Sequence, residues 1–564
     1  LLVLLALGLT GLVGPKEVFA GFSNSAVITV WAVYIVSGGL FKTGVAAMLG
    51  RFILRLAGDN EMRLIAVIML TCGTMSAFMN NVGATAMLLP AVVSISRQKN
   101  VPVSKLLIPL SFSSLLGGKL TLIGTPANIL ATSIVAEQGL PTFSFFDFTP
   151  IGIVVFATGI LYMVFIGRNF LPVRQPLGER RVTQQLKEYV SEVRVSPESR
   201  LVGLTLMQSR LGADYDLTVL AIVRGKKTRT NVHRDVVIEA DDILLIEGLL
   251  DNLMRATKNL GLVLASGPQI DLERLNKEND HVFEATLAPR SSMVGRSLRS
   301  LRFRDHYGFT VLAIRRQGEL ITRRLRDVRL LFGDDLLLLG QRDRLPGLLE
   351  HDDFLILEPV RILENRRKRM PVAIGLMLLV IGLVLFSGLD IAIAMVIGAV
   401  GMVLTRCLTM DEAYESIDWR TVFLVAGMLP LGTAMETTGT ARYIADLLLN
   451  AIGGYGPMAA LAGMYLLAAL VTQPMSNAAA MVLVVPIALD TALSLGANHL
   501  TFTLAVVIGA ATSFLTPVGH KANVLVFGPG GYKFFDYARV GLLLTVFLFI
   551  STMIALPIIF PLFP

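Results

Sequence analysis

Charge is spread so unevenly along this chain that its outer thirds and its middle third cannot share one solvent. Of 50 Lys and Arg residues, 34 fall between Phe170 and Met370. The flanking thirds are long apolar runs joined by short polar turns. In a chain of 564 residues with mean hydropathy +0.66, such runs predict a helical protein that crosses the bilayer many times. The charged middle third predicts a soluble insert. Positive loops and that insert account for the net charge of +8, so no nucleic-acid partner is implied. The two cysteines, Cys72 and Cys407, lie in or beside apolar segments, which excludes a disulfide framework, and no metal-ligand spacing occurs. The opening run 1–13 is apolar but lacks a basic n-region and a small-residue cleavage site, so it is not read as a signal peptide.

The apolar thirds match each other at one offset, about 395 residues. Residues 121–128 (TLIGTPAN) lie opposite 516–523 (TPVGHKAN), with four identities in eight. Asn81 with Pro90 lies opposite Asn477 with Pro486, and Thr43-Gly44 opposite Thr438-Gly439. Residues 151–167 match a run near 545–561. Residues 371–387 would match a helix just before Leu1, so a further helix is expected there.

Basic residues set the orientation. Arg168, Arg174, Arg180 and Arg181 precede the insert, and Arg361 with Arg366 to Arg369 follow it, which places it in the cytoplasm. Arg51, Arg55 and Arg63 precede the segment 64–96, and Arg97, Lys99 and Lys105 follow it, so both its ends face the cytoplasm. Its arms, 64–78 and 82–96, have 15 residues each, roughly 23 Å of helix. That is too short for a core of about 30 Å. The segment therefore reads as a re-entrant hairpin with its tip at Met79 to Val82. Its counterpart, 457–495, has no basic flank and should enter from the outside. The expected fold is an α-helical polytopic membrane protein with inverted repeats, two re-entrant hairpins and broken helices, and a cytoplasmic α+β insert of two small repeated domains. The first repeat spans 1–175 (hairpin about 62–97, broken helix about 104–136). The second spans 366–564 (hairpin about 457–497, broken helix about 500–532).

Hairpin tips put helix ends and unpaired backbone groups at membrane depth, tolerable only beside protein or a water-filled cavity. Inward helix N-termini offer N–H donors to an anion, and Asn, Ser and Thr add directional groups. Candidate anion contacts are Asn80, Asn81, Ser476 and Asn477 at the tips, with Thr125, Thr516 and Lys521 at the breaks. The breaks carry Gly and Pro that interrupt helices. Carbonyls freed at Gly124, Asn128, Gly519 and Asn523 suit a small hard cation such as Na⁺. Intramembrane Asn and Ser often only bridge packed helices, but duplication beside matched prolines favours binding. Lys119 could pair with the anion, replace a coupling cation or snorkel to an interface. His520 reads as a packed neutral imidazole. Lys42 and Glu436 sit one position apart in repeat register and read as a structural ion pair.

These motifs, residues 79–85 (MNNVGAT), 475–479 (MSNAA) and 124–128 (GTPAN), resemble the divalent anion:sodium symporter family, carriers of sulfate or dicarboxylates. In that family each tip bears a Ser-Asn-Thr motif that contacts substrate oxygens, and its Na⁺ sites pair each tip with the neighbouring break. The resemblance carries over to Asn81, Ser476 and Asn477, and gives Asn81 and Asn477 a cation role as well. Asn80 stands where the family has Ser, and Val82 and Ala478 where it has Thr. Two substrate hydroxyls are thus absent, which points to a smaller inorganic anion such as sulfate over a dicarboxylate. His520-Lys521 departs from the family's second break. The resemblance implies a homodimer with an elevator-type moving domain, no cofactor, and Na⁺ as coupling ion.

The insert is itself duplicated, at an offset of 92, over 188–266 and 280–360. Val202-Gly203 matches Val294-Gly295, Tyr215 matches Tyr307, and Arg234-Asp235-Val236 matches Arg326-Asp327-Val328. Residues 241–245 (DDILL) then match 334–338 (DDLLL) after a one-residue slip. Both copies resemble the TrkA C-terminal (RCK-type) domain, which implies regulation by a ligand or dimer contacts. Arginine-rich stretches such as 323–326 usually form solvated faces; an anionic nucleotide is the alternative. No Gly-x-Gly-x-x-Gly segment precedes them, so a Rossmann domain is not indicated. Two rival classes remain. An ion channel is suggested by the regulatory insert and Gly454-Tyr455-Gly456, but a potassium filter needs a preceding Thr-Val and four-fold symmetry. A membrane enzyme would need a nucleophile–base cluster or a metal motif, and the apolar thirds carry neither.

Overall fold

In the computed structural model the apolar thirds form one unit, Leu1–Val173 with Pro359–Pro564, and the charged third a second, Arg174–Glu358. The described residues are 2–45, 48, 60–99, 101–173, 190–264 and 280–356 with short interruptions, 364–452, 456–473 and 475–563. Arg51, Arg55, Arg174, Arg180, Arg181, Arg234, Arg323, Arg361, Gly454 and Tyr455 lie outside them.

The first half of the helical unit runs α1 (Leu2–Thr10), α2 (Ser25–Lys42), α3 (Glu61–Ser76), α4 (Asn81–Lys99), α5 (Ser104–Gly117), α6 (Pro126–Glu137) and α7 (Thr149–Phe165). The second half runs α8 (Met370–Phe386), α9 (Ile391–Leu404), α10 (Met410–Ser416), α11 (Trp419–Thr437), α12 (Thr440–Ile452), α13 (Pro457–Val471), α14 (Asn477–Ser494), α15 (His499–Ala510), α16 (Lys521–Phe527) and α17 (Phe534–Ile559). Among described residues, α2, α14 and α17 are individually long and apolar enough to cross a bilayer, and α11 with α12 forms a broken pair bent by 70°.

Helices α3 and α4 form the first hairpin and α13 and α14 the second. Their second arms run 19 and 18 residues, longer than the 15 expected. The re-entrant reading therefore rests on the turns and on where the arms return. Glu61, at the start of α3, meets Lys105 at the start of α5 (2.9 Å), and Ser96 donates to the Val101 carbonyl (2.6 Å). Both ends of the first hairpin thus close on one face.

Hydrogen bonds within and between the halves show the inversion. Ser104 donates to the Pro172 carbonyl (2.7 Å), so α5 starts where α7 ends. In the second half Thr501 donates to the carbonyls of Phe560 and Pro561 (3.1 and 3.2 Å), so α15 starts where α17 ends. The Tyr532 hydroxyl, just beyond α16, donates to the Ser104 carbonyl (2.6 Å) at the base of the first hairpin. His499, at the base of the second, lies 3.0 Å from the Pro141 carbonyl beyond α6. Each half-helix therefore exits beside the other half's hairpin base. Small residues let these elements cross closely. A Cβ on Gly117 would lie 2.1 Å from the Gly73 carbonyl oxygen, and one on Gly509 2.4 Å from that of Tyr465, so α3–α5 and α13–α15 pack backbone to backbone.

The ion pair expected between Lys42 and Glu436 is corrected: Lys42 pairs with Glu412 (3.6 Å). Arg366 also pairs with Glu412, and Arg369 donates to the Thr405 carbonyl (2.7 Å), gathering the ends of α2, α8 and α9 on one face. Burial raises the Glu412 carboxyl, but the Thr409 N–H, Arg366 and Lys42 outweigh it and hold it down at about 2.

The insert contains two copies of one five-stranded antiparallel sheet. The first comprises β1 (Val190–Val195), β2 (Thr218–Arg224), β3 (Lys227–Arg229), β4 (Ile243–Glu247) and β5 (Leu262–Leu264), in order β3-β2-β4-β1-β5. The second comprises β6 (Asp280–Leu287), β7 (Thr310–Arg316), β8 (Glu319–Ile321), β9 (Asp335–Gln341) and β10 (Phe354–Ile356), in order β10-β6-β9-β7-β8, the same path read backwards. Arg194 opposes Ile243 as Thr286 opposes Asp335, and β2 and β7 are bulged at matching places, Val219/Ala221 and Val311/Ala313. Gly203 and Gly295 both turn at positive φ (85° and 84°), which glycine adopts without a Cβ clash.

The one-residue slip expected between the two copies does not occur. The offset of 92 holds without a slip, so Asp242, not Asp241, corresponds to Asp334. Arg224 grips Asp242 (Nε–Oδ1 2.8 Å, Nη2–Oδ2 2.7 Å) as Arg316 grips Asp334 (2.8 and 2.8 Å). In both copies the residue before that Asp is left-handed, Asp241 at φ 63° and Gly333 at φ 77°.

Candidate functional site

Each hairpin tip is a short turn whose last residues start the second arm. In the first, the Asn80 carboxamide oxygen accepts from the Val82 N–H (3.1 Å) and Asn81 opens α4. In the second, Ser476 caps α14, accepting from the Ala479 N–H (3.3 Å), and Asn477 opens the helix. The capping chemistry explains why the chain reverses there, since Asn and Ser satisfy helix N–H groups that would otherwise be orphaned in apolar surroundings.

The two Asn side chains then meet matching partners. Asn81 is buried, and its Oδ1 accepts from the Ser76 hydroxyl (2.7 Å), which also lies 2.8 Å from the Ser114 carbonyl. Asn477 Oδ1 accepts from the Thr472 hydroxyl (2.8 Å) and from the Ser513 hydroxyl (3.1 Å). Ser76 and Thr472 each stand five residues before their tip Asn. In the first half Gly118 takes the place of Ser513. A Cβ there would fall 2.6 Å from Asn81 Oδ1, so the break's backbone touches the tip directly.

The broken helices are held open in the same way in both halves. Between α5 and α6, Asn128 Nδ2 donates to the carbonyls of Gly118 (3.0 Å) and Thr121 (2.8 Å), while Thr125 caps α6 and donates to Asn128 Oδ1 (3.0 Å). Between α15 and α16, Asn523 Nδ2 donates to the carbonyls of Ser513 (2.7 Å) and Thr516 (3.2 Å). Ser111 of the first half donates to Asn523 Oδ1 (2.6 Å), and Thr516 Oγ1 accepts from the Gly519 N–H (3.0 Å). Asn128 and Asn523 therefore fix carbonyls in place, and Gly124 is pressed against Gly118, where a Cβ would sit 2.4 Å from its oxygen. Helix α6 packs on α14, and α16 packs on α4 and α5, so each break leans on the other half.

Around each tip lie carbonyl, amide and hydroxyl oxygens with no carboxylate in the hydrogen-bonded cluster. Such a set suits a hard monovalent cation held weakly enough to be released. Gln473, at the second tip, was not singled out by its sequence context. Its Nε2 donates to the Ala469 carbonyl (3.0 Å), and its buried Oε1 has no hydrogen-bond partner among the described residues. Asn80 and Gly124 face a cleft whose opposite wall is α2, at Val30, Val33 and Tyr34.

Lys521 extends to Asp418 (Nζ–Oδ2 2.5 Å) and Thr421 (3.2 Å), at the start of α11, so its charge is already matched by a carboxylate. Its side chain is half exposed, and the pair is expected to contribute no more than about 1 kcal/mol. A double-mutant cycle with Lys521→Met and Asp418→Asn, read by thermal melting, should show that coupling; additive effects would mean the contact contributes nothing.

The family model described as citrate transporter (CitMHS) matches residues 1–507. An uncharacterized transporter of Synechocystis is 39% identical over 99% of this chain and 93% of its own length. An uncharacterized transporter of Escherichia coli, YfbS, is 32% identical over 100% of this chain and 95% of its own. A protein named probable sodium/sulfate cotransporter 3, from Chlamydomonas reinhardtii, is 22% identical over 93% of this chain and 81% of its own.

Proposed function

This chain belongs to the citrate transporter (CitMHS) family of membrane transporters, and on that premise we propose that it is a secondary active carrier of a small divalent anion, sulfate, moved together with Na⁺. The observation that carries this reading is the matched pair of tip amides, Asn81 and Asn477, each accepting from a hydroxyl of its own hairpin and touching the neighbouring helix break, at Gly118 and at Ser513. A dianion entering a low-dielectric interior needs positive charge beside it. Na⁺ held at Asn81 with Gly124 and Asn128, or at Asn477 with Gly519 and Asn523, would supply such charge. The anion would take the tip N–H groups with Asn80, Ser476, Thr125 and Thr516. The relative named a sodium/sulfate cotransporter supports both ions.

The inverted halves, each leaning on the other's hairpin, suit an elevator step in which hairpins and broken helices move together past α2 and its neighbours. We place the insert in the cytoplasm, read it as a TrkA-C-like regulatory pair, and expect a homodimer. The family description favours one second reading, a citrate or dicarboxylate carrier or exchanger. Radiolabelled sulfate uptake into proteoliposomes, with and without Na⁺ and a pH gradient, decides between them. Uptake should require Na⁺ and resist competition by citrate and succinate. Uptake of labelled citrate or succinate, with none of sulfate, would replace sulfate by a carboxylate.

A further inference from the structure

Lys119 is 1% exposed, and its Nζ has no hydrogen-bond partner among the described residues. It lies 5.6 Å from the centre of the Phe514 ring. At the repeat offset of 395, Lys119 and Phe514 are each other's counterparts. Two residues exchanged by a two-fold operation can touch only on its axis, so this contact marks the axis between the halves. The surroundings agree. Lys119 follows the C-terminus of α5 and Phe514 that of α15. The backbone of each is pressed by a glycine of its own half's last helix, where a Cβ on Gly152 would lie 2.5 Å from the Lys119 oxygen and one on Gly541 2.2 Å from the Phe514 oxygen.

Two helix C-termini therefore lie just before the two residues of this contact, and each carries the negative end of a helix dipole. A cation there is stabilised by both ends and by the face of Phe514. The neighbours of Lys119 in sequence, Gly118 and Thr121, belong to the first tip cluster, while Ser513 and Thr516, beside Phe514, belong to the second. The ammonium is too enclosed to touch a carried anion, and it is not among the residues that line the cleft at Asn80. It acts through the field.

We propose that Lys119 is a resident cation on the repeat axis that takes the place of one carried Na⁺. This rests on the carrier reading above and adds a stoichiometry to it. A dianion, one carried Na⁺ and one fixed ammonium make a loaded domain of no net charge, the form that crosses a low-dielectric layer most easily. Without the ammonium, the two C-termini present an unfilled negative pole that a second Na⁺ can occupy.

The test compares full-length wild type, Lys119→Met and Lys119→Arg. Equilibrium binding of radioactive Na⁺ to purified protein should show one more ion per chain for Lys119→Met, and no change for Lys119→Arg. In proteoliposomes clamped at zero voltage under a roughly tenfold Na⁺ gradient, each coupled Na⁺ multiplies steady-state anion accumulation about tenfold. Lys119→Met should then accumulate sulfate about tenfold beyond wild type. Equal Na⁺ binding in wild type and Lys119→Met overturns the resident cation, whichever anion is carried. If none of the three accumulates sulfate while Lys119→Met still binds the extra Na⁺, the resident cation stands and the substrate proposed above fails. Lys119→Gln provides the same comparison should the methionine variant fail to fold.

Discussion

Asn81→Ala and Asn477→Ala should each lower Na⁺-driven sulfate uptake by about 100-fold or more, while the purified proteins keep their helical content. The two effects separate because the side chains do different things in folding and in transport. For folding, Asn81 Oδ1 is one of two acceptors close to the Ser76 hydroxyl, and the Ser114 carbonyl remains when it is removed. Asn477 accepts from Thr472 and Ser513, and hydroxyls can rotate toward other partners. A loss of about 1–2 kcal/mol is expected in each case, the ordinary cost of one or two hydrogen bonds. For transport, each amide oxygen stands between tip and break, and alanine leaves an ion site there without that ligand. Uptake assays paired with circular dichroism and melting in detergent distinguish the outcomes. Normal uptake by both variants would remove the tips from the mechanism.

The inverted architecture was readable because duplication leaves the same residues at a constant offset, and Asn81 with Pro90 and Asn477 with Pro486 survive as signposts. The partners of those amides were harder to see. Ser76 and Thr472 differ in type, lie in apolar helices, and signal only through their shared spacing of five residues from the tip. Ser513 has Gly118 as its counterpart, so the repeat hides it: the first half closes the same contact with backbone alone. The adjacency of Lys119 and Phe514 depends on where the symmetry axis falls, which no linear pattern states. Lys42 was placed by register, but its partner Glu412 lies on α10, outside the repeat comparison. In the insert, the doublets Asp241-Asp242 and Asp334-Asp335 allow two alignments. Only strand register and the arginine clamps choose between them.

Those clamps yield the other large effect. Arg316→Ala should destabilise the second sheet by about 3 kcal/mol, because it strands a charge that has no access to water. Asp334 is buried, receives two hydrogen bonds from Arg316, and among the described residues retains only the Leu331 N–H (2.8 Å) when the guanidinium is gone. Asp334→Ala should cost less, because the Arg316 side chain is 27% exposed and its freed guanidinium can turn to solvent. Removing both groups should be milder than removing Arg316 alone, the reverse of what additive contacts would give. Lys at 316 should rescue poorly, since one ammonium cannot make the paired Nε and Nη2 contacts. Hydrogen exchange on the full chain reads this strand by strand, with protection lost in β7 and β9 and kept in β2 and β4. Arg224 and Asp242 hold that first sheet by an identical grip and are untouched. Equal losses in both sheets would show that the copies fold as one cooperative body, and an effect of Asp334→Ala larger than that of Arg316→Ala would show that burial of the carboxylate is not what the clamp offsets.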